Sequence, residues 1–349
     1  MLKLLIILLI RILCIGNSFS WDAVEQELVP LCDEEGIEIE VHNLYYGGCS
    51  LQQHAEFLIR DSAVYSHRVC TNLSPSPLES GGERFRLVKD TISLRQALKD
   101  GEYNFISLQQ ASHDSGIRSS YEPWLSLLID TVRAYQPNAQ LCWMQTWAYS
   151  QDAKHPAFPR YHNNQQEMWD SIRSCTQYVR QIVNNKLTPV RNDNSQFSTP
   201  NSQFSTPNSQ FSIPNSQFST PNSQLSKFDL SNNRSRLCRD KNSQFSTLNS
   251  QLSIPNSQFS TLNSQLIVIP CGLAIQNARS SALGDTMCRD GYHLNYTYGR
   301  YTASCVWFEF ITGKDVRCNH YKNPQMTNKQ RRLAQKSAHD ANISSQRKQ

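Results

Sequence analysis

Short apolar runs alternate along this chain with longer stretches in which apolar residues recur every three or four positions. The runs have the length of buried strands, and the longer stretches have the period of amphipathic helices. Strands are predicted at residues 11–15, 37–43, 104–109, 139–147 and 267–270. Helices are predicted at residues 21–31, 51–59, 91–98, 123–135, 168–183, 274–279 and 298–311.

The order of these elements predicts an α/β fold. Strands that alternate with helices form parallel sheets, because each helical crossover returns the chain to the same end of the sheet and covers one of its faces. We therefore expect a three-layer α/β/α domain with a five-stranded parallel sheet. In such a sheet the carboxyl ends of the strands share one edge, where side chains distant in sequence can meet.

One stretch, residues 194–266, interrupts this pattern. The seven-residue unit Asn-Ser-Gln-Phe-Ser-Thr-Pro recurs there with few changes. Each unit has one strongly apolar residue and proline often closes it, so a coiled coil is excluded and disorder is expected. We interpret the repeat as an insert in a surface loop, with an adhesive or glycosylated stalk as the alternative. The predicted division is a signal-like segment 1–10, the domain 11–193 and 267–320, the insert, and a basic helix or tail 321–349.

Composition adds information mainly at the two ends of the chain. The apolar run that follows Lys3 resembles a truncated export signal and is too short for a stable membrane span. A periplasmic or secreted location follows from that interpretation, and a cytoplasmic one follows otherwise. The net charge of +5 comes partly from the C-terminal segment, where Thr327 and Gln330 form a capping-box pattern. We interpret that segment as a solvated helix, with no nucleic-acid partner.

The eleven cysteines are scattered, without a CxxC pair or Cys/His metal spacing. Mostly free thiols are expected, and one bridge between Cys288 and Cys305 is left open. No metal and no organic cofactor are predicted.

The candidate chemistry begins at Gly16-Asn17-Ser18-Phe19-Ser20, directly after the first strand. A serine on a sharp turn from a central strand into a helix has its hydroxyl at the sheet edge, beside the free N–H groups of the helix start. Nucleophilic serines of acyl-transfer enzymes need this placement, because the oxyanion forms within reach of those donors. Phosphate binding and simple turn formation are alternatives for this stretch alone.

Asp290 and His293 lie three residues apart on one loop after the last strand. At that spacing the carboxylate can orient the imidazole, which can then accept a proton from a serine at the same edge. A triad of Ser18, His293 and Asp290 is therefore predicted, in the chain order Ser, Asp, His.

These residues resemble the conserved blocks of the SGNH (GDSL) hydrolase family, and specifically an uncharacterised bacterial branch with GNSFS at the serine and DGxHL at the histidine. The resemblance implies a flavodoxin-like fold and a serine esterase, with Ser18 as the nucleophile. It implies oxyanion donors from the backbone N–H groups of Ser18 and Gly48. The third block departs from the family, because His113 stands where the family has asparagine. His113 or Gln110 is expected to supply that third donor.

Five aromatic residues near these blocks are candidates for a substrate pocket, with ordinary packing as the alternative: Tyr45, Tyr46, Trp147, Tyr149 and Tyr292. Because members of the family often deacetylate carbohydrates, the predicted function is hydrolysis of short acyl esters, with a small-molecule or glycan ester as substrate. Two alternatives stay open: a disabled scaffold that binds glycans, and an acyltransferase that uses the same serine. The oligomeric state is not predicted.

Overall fold

Seven strands form one mixed sheet in the computed structural model, which describes residues 9–73, 86–187 and 266–346. The strands are β1 Ile10–Gly16, β2 Ile39–Tyr45, β3 Tyr65–Thr71, β4 Arg86–Ile92, β5 Phe105–Leu108, β6 Gln140–Met144 and β7 Ile267–Ile269. Their order across the sheet is β4-β3-β2-β1-β5-β6-β7. The central strand β1 pairs in parallel with β2 and β5, and its carboxyl end therefore lies among those of its neighbours.

The α-helices of the described residues lie between and after these strands. They are α1 Ser18–Val24, α2 Leu28–Glu34, α3 Leu51–Ile59, α4 Leu94–Asp100, α5 Trp124–Tyr135, α6 Gln165–Leu187, α7 Cys271–Arg279, α8 Tyr298–Thr312 and α9 Asn328–Gln346. Alternate residues of β1 enter two different cores: Ile12 and Cys14 lie in one, and Leu13 and Ile15 lie in the other. Because side chains of a strand alternate between the faces of its sheet, helices cover both faces, as the sequence predicted.

The predicted five-stranded parallel sheet is only part of the observed seven-stranded sheet. Strands β2, β1, β5, β6 and β7 are parallel and correspond to the five predicted strands, although their bounds differ. The sequence analysis missed β3 and β4, which extend the sheet beyond β2 as antiparallel strands. The predicted helix 91–98 begins too early, since Thr91 and Ile92 end β4 and Ser93 caps α4. β4 has no regular alternation of apolar and polar residues, so its sequence did not indicate a strand.

The first predicted helix, residues 21–31, is two helices. α1 ends at Val24, and α2 begins at Leu28 with Pro30 in its first turn. Proline has no backbone N–H, so it is tolerated in a first turn and would interrupt a continuous helix. The break between α1 and α2 therefore places Pro30 in a first turn, where proline is tolerated.

The C-terminal helix is less solvated than the sequence suggested. Thr327 and Gln330 form the predicted capping box, with each backbone N–H bonded to the other side chain. However, Ala334, Ala338 and Ala341 are fully buried in one of the two cores. α9 is therefore a structural part of the domain along one face.

Cys288 and Cys305 are free thiols, so the bridge between them that the sequence left open does not form. Cys318 is disulfide-bonded, and the other cysteines of the described residues are free. Within the described part of the chain, no helix is long and apolar enough to cross a membrane. Nearly all of the signal-like segment 1–10, and the insert 194–266 apart from Leu266, lie outside the described residues.

Candidate active site

The serine turn connects β1 to α1. β1 ends at Gly16, Asn17 occupies the N-cap position, and Ser18 is the first residue of α1. The side-chain oxygen of Asn17 accepts the backbone N–H of Phe19 at 3.0 Å, which satisfies one donor of the helix start. A Cβ at Gly16 would lie 2.3 Å from the hydroxyl oxygen of Ser20, so the turn requires glycine. The partly exposed Ser18 side chain thus lies at the carboxyl edge of the sheet.

The imidazole of His293 lies between Ser18 and Asp290. Its Nε2 is 2.8 Å from Oγ of Ser18, and its Nδ1 is 2.7 Å from Oδ2 of Asp290. An Nδ1 that donates to the carboxylate leaves the lone pair of Nε2 directed at the serine hydroxyl. The arrangement can accept the serine proton and stabilise the resulting imidazolium.

Asp290 is held in its ionised form. Its Oδ1 accepts the backbone N–H groups of Tyr292 at 3.1 Å and of His293 at 2.8 Å. Partial burial acts to raise the pKa of this carboxyl, but the side chain and backbone of His293 and the Tyr292 N–H outweigh it. The pKa of Asp290 is therefore lowered from its ordinary value. A permanent negative charge next to Nδ1 fixes the orientation of the imidazole.

Asp290 and His293 belong to the histidine loop, which we define as residues 288–294. The loop is closed by an antiparallel bridge between Cys288 and Leu294. At its tip Gly291 has φ +91°, and a Cβ there would lie 2.9 Å from Ala153. Both the left-handed conformation and the close contact require glycine.

A buried carboxylate on α1, the helix that begins at Ser18, connects this helix to the histidine loop. Asp22 is fully buried, and its Oδ2 accepts the backbone N–H of Leu294 at 2.8 Å. Its Oδ1 accepts Arg289 Nη1 at 3.0 Å and Arg300 Nε at 2.8 Å. The sequence analysis missed this residue. The only available signal was an acidic residue one helical turn after the serine.

The two backbone groups predicted as oxyanion donors belong to the first residue of α1 and to the loop after β2. Ser18 is the first residue of α1, so its N–H has no acceptor within the helix. Gly48 is exposed with φ +66°, in the loop that follows β2. The carbonyl of Cys49, the next residue, accepts Nδ2 of Asn17 at 3.0 Å, which connects this loop to the serine turn.

Asn17, which directly precedes the serine, uses both ends of its amide. Its Oδ1 accepts Gln109 Nε2 at 2.7 Å in addition to the helix N–H, while its Nδ2 donates to Cys49. An ionised aspartate has no donor for the Cys49 carbonyl. Asparagine is therefore the residue that fits this position, and Gln109 is a supporting residue that the sequence analysis missed.

Gln110 is not available as the third oxyanion donor. Its Nε2 donates to the carbonyl and the hydroxyl of Ser120, and its Oε1 accepts the backbone N–H groups of Leu51 and Ala111. The side chain is fully buried in these structural contacts. That prediction is therefore wrong for Gln110. His113 remains the candidate, with a partly exposed side chain whose Nε2 lies 3.5 Å from Asp114.

The five aromatic candidates separate into two groups. Trp147 and Tyr149 are fully buried, which contradicts their assignment to an accessible pocket. The ring of Trp147 stacks on that of Phe19, with the centroids 4.1 Å apart, and its Nε1–H donates to the carbonyl of Tyr292. Trp147 therefore packs against the chain neighbours of Ser18 and His293. The others, Tyr45, Tyr46 and Tyr292, are partly exposed.

Tyr292 contacts the site directly, because its ring centroid is 4.2 Å from that of His293. Tyr45 and Tyr46 lie at the end of β2 and pack on other rings: Tyr45 on Trp21, and Tyr46 on Phe57. Of the predicted aromatics, Tyr292 is thus the one in ring contact with the triad.

His155 is a further histidine of the site that the sequence analysis missed. Its ring centroid lies 4.7 Å from those of both Tyr149 and Tyr292. Burial lowers its pKa, and the nearby imidazoles of His113 and His293 lower it further. His155 is therefore an uncharged member of the site at neutral pH. No sequence pattern in the loop of His155 predicts these ring contacts.

A group that could hold a metal lies elsewhere in the fold. Glu309, Asp315 and His339 each offer a ligand atom within 4.8 Å of the others. His339 Nδ1 already lies 2.6 Å from Glu309, and Arg317 pairs with Asp315. The three side chains thus already pair with one another or with Arg317. The contact between Glu309 on α8 and His339 on α9 connects these two helices.

Comparisons with known proteins agree with this architecture. The sequence model of DUF4886, a domain of unknown function, matches residues 11–192 and 238–341. A crystal structure of a DUF4886 family protein from Bacteroides uniformis ATCC 8492 is similar, with 30% identity, a TM-score of 0.65 and coverage of 96% of this chain and 95% of that one.

A second solved structure, described as "a putative SGNH hydrolase from Slackia heliotrinireducens", has 18% identity and a TM-score of 0.33. It covers 50% of this chain and 76% of that one. No curated protein matches the sequence.

Proposed function

We propose that this chain, which belongs to the DUF4886 family of domains of unknown function, is a serine esterase of SGNH type that hydrolyses short acyl esters. The observation that carries the proposal is the continuous pair of hydrogen bonds from Ser18 through His293 to Asp290, at 2.8 and 2.7 Å. The strand-to-helix turn at the serine supports the same chemistry.

In the first half of the reaction, Oγ of Ser18 attacks the carbonyl carbon of the ester. Nε2 of His293 takes the hydroxyl proton, and ionised Asp290 stabilises the imidazolium. The carbonyl oxygen becomes an oxyanion that accepts the N–H groups of Ser18 and Gly48, with His113 as the third donor. When the tetrahedral intermediate collapses, the bond to the alcohol oxygen breaks and His293 gives its proton to that oxygen.

In the second half, water attacks the carbonyl carbon of the acyl-enzyme while His293 accepts a proton from it. Collapse of the second intermediate breaks the bond to Oγ, and the imidazolium returns the proton to Ser18. The products are a short carboxylic acid and the alcohol, and every group returns to its starting state. All of the proton transfers use Nε2, and none requires a group that the chain lacks.

The test is covalent labelling of the purified protein with a fluorophosphonate, followed by peptide mapping, together with turnover of 4-nitrophenyl acetate. We expect the label on Ser18, and we expect Ser18→Ala to abolish labelling and lower kcat by a factor on the order of 10⁴ or more. Ser20→Ala is the matched control for labelling, because Ser20 lies on the same turn with its hydroxyl bonded to Asn17 and Asn43.

Undiminished turnover in Ser18→Ala would contradict the triad. A wild-type protein that neither takes the label nor turns over the ester would favour the disabled, glycan-binding scaffold. If an added sugar acceptor diverts the acyl group from water, product analysis will identify an acyltransferase instead.

A further inference from the structure

A cavity of about 360 Å³ lies beside the histidine loop. Its lining consists of residues 151–156, Pro159 and Asn163. These residues belong to the connection between β6 and α6, and we call residues 150–163 the cavity segment. Its volume is in the range of sites for small molecules. The sequence analysis did not identify residues 150–163 as part of a site.

The inner wall of the cavity contacts the triad through two rings. His155 lines the cavity and packs on Tyr292, whose own ring packs on His293. The backbone of the cavity segment also meets the histidine loop, since Ser150 N–H donates to the carbonyl of Gly291 at 2.7 Å. A group bound next to His155 in the cavity is therefore separated from His293 by the ring of Tyr292.

Hydrogen bonds hold the cavity segment in a fixed conformation. Asp285 accepts the backbone N–H of Gln151 at 2.7 Å and the side-chain amide of Gln165 at 2.9 Å. Gln151 in turn donates to the carbonyl of Asn163 at 2.8 Å and accepts the N–H of Gln165 at 3.0 Å. Binding would not have to order this segment, which favours affinity for a small ligand.

His155 presents a defined hydrogen-bond donor. Its Nδ1 accepts the backbone N–H of Ala157 at 3.1 Å. A neutral imidazole that accepts at Nδ1 carries its hydrogen on Nε2. The neutral form of His155 thus offers one N–H, from the cavity wall that packs on Tyr292.

The lining favours a hydroxylated ring over a hydrocarbon chain. Its apolar members are only Ala153, Pro156 and Pro159, and the remaining members are polar or charged. A long acyl chain needs a continuous wall of large apolar side chains, because its binding depends on the apolar area removed from water. Small apolar surfaces combined with donors and acceptors suit a sugar, which has apolar C–H faces and polar edges.

We propose that this cavity binds the alcohol part of the ester, and that the alcohol is a hydroxylated sugar ring held by a hydrogen bond from Nε2 of His155. This inference rests on the proposed esterase function, because it assigns the leaving group of that reaction. In this arrangement the sugar ring lies across Tyr292 from His293, and its ester group extends past Tyr292 to Ser18, where Nε2 of His293 gives its proton to the departing oxygen.

The test compares two acetyl esters, 6-O-acetylglucose and 4-nitrophenyl acetate, in wild type and three variants. We expect His155→Ala to raise KM for 6-O-acetylglucose by about five- to tenfold more than KM for 4-nitrophenyl acetate, as for one hydrogen bond lost to the sugar alone. His155→Gln should recover most of the loss, because the glutamine amide places an N–H near the position of Nε2. His162→Gln is the matched control, since His162 lies on the same segment with an exposed side chain paired to Glu167.

A binding measurement separates this inference from the proposed function. In the Ser18→Ala background, calorimetry with 6-O-acetylglucose should show binding that His155→Ala weakens by the same five- to tenfold. If the wild type turns over neither ester while this binding is observed, the esterase proposal fails and the sugar site stands. Equal effects of His155→Ala on both esters, or no effect on either, would overturn the sugar site.

Discussion

At the scale of single residues, the hydrogen bonds around Asp290 determine how its charge responds to pH. Its pKa is lowered in the folded protein, so it contributes stability above its unfolded pKa of about 4 and loses that contribution as the pH falls through its folded value. Asp290→Asn should therefore be less stable than wild type at pH 7, with the difference shrinking below about pH 4. Urea unfolding at both pH values measures this.

The same substitution tests the role of Asp290 in orienting His293. At pH 7 we expect Asp290→Asn to lower kcat by a factor on the order of 10⁴, because an amide can favour the wrong imidazole tautomer. Asp170→Asn is a control for a carboxylate outside the site, since Asp170 pairs with Arg173 on the exposed side of α6. A kcat within tenfold of wild type in Asp290→Asn would contradict the assignment.

Asn17 allows a second prediction at this scale. Asparagine and aspartate are equally good N-caps, so Asn17→Asp should preserve the start of α1. It removes the donor to the Cys49 carbonyl, at a site that is 1% exposed, and places a carboxylate against that oxygen. We expect a loss of about 1–3 kcal/mol in the free energy of unfolding and a lower kcat through displacement of Gly48.

Relative to wild type at the same pH, the activity of Asn17→Asp should partly recover below about pH 5, where the introduced carboxyl can hold a proton and donate it to the Cys49 carbonyl. Asn17→Ser, which keeps a cap but also lacks the amide, should show no such recovery. An Asn17→Asp variant with wild-type stability and kcat would show that the Cys49 contact has no role.

At the scale of elements, α1 and the histidine loop form one unit through Asp22. Removing the charge in Asp22→Asn leaves Arg300 buried without its ion-pair partner, and breaking such a pair costs about 3–5 kcal/mol. Kinetically, we expect kcat to fall while KM changes little, because Asp22 acts on the position of His293 and does not contact substrate. Stopped-flow measurement of the acylation step, with melting curves taken in parallel, tests both expectations.

Glu35→Gln is the matched control for a lost carboxylate, since Glu35 pairs with Lys314 at the surface and is remote in sequence from the histidine loop. Surface pairs contribute about 0–1 kcal/mol, so this variant should be near wild type in stability and in kcat. If Asp22→Asn is destabilised but keeps its kcat, the carboxylate is structural only.

The elements also show what the sequence could and could not predict. Apolar runs identified most of the parallel strands, because strands buried on both faces have few polar positions. β2 was identified by the alternation of apolar and polar residues at 37–43. β3 escaped because His67 and Arg68 break its apolar pattern, although both are nearly buried. The roles of Asp22 and His155 depend on partners far away in the chain or in other loops, and no local pattern reports such contacts. Ser18, Asp290 and His293 could be predicted together because each lies in a short motif.

At the scale of the whole molecule, the repeat insert 194–266 lies outside the described residues apart from Leu266, and we predict that its first part, residues 194–237, is dispensable. The DUF4886 match stops at residue 192 and resumes at residue 238, so most of the repeats lie in a gap of the family pattern. We expect that replacing residues 194–237 with a short Gly/Ser linker leaves kcat and KM for 4-nitrophenyl acetate unchanged. If the segment contributes only chain entropy, halving the connection stabilises the fold by about 0.6 kcal/mol, or roughly 1–2 °C in Tm.

A longer replacement, residues 194–265, locates the boundary of the insert. The repeat pattern places the whole stretch outside the domain, whereas the family match includes residues 238–265. The family match indicates that residues 238–265 belong to the shared domain, and the longer replacement also removes Cys238, whereas the shorter one keeps it. We therefore expect the longer variant to melt below the shorter one. Equal melting curves and equal kcat for the two variants would extend the insert to residue 265. A lower Tm or a lower kcat in the shorter variant would show that the repeats pack on the domain.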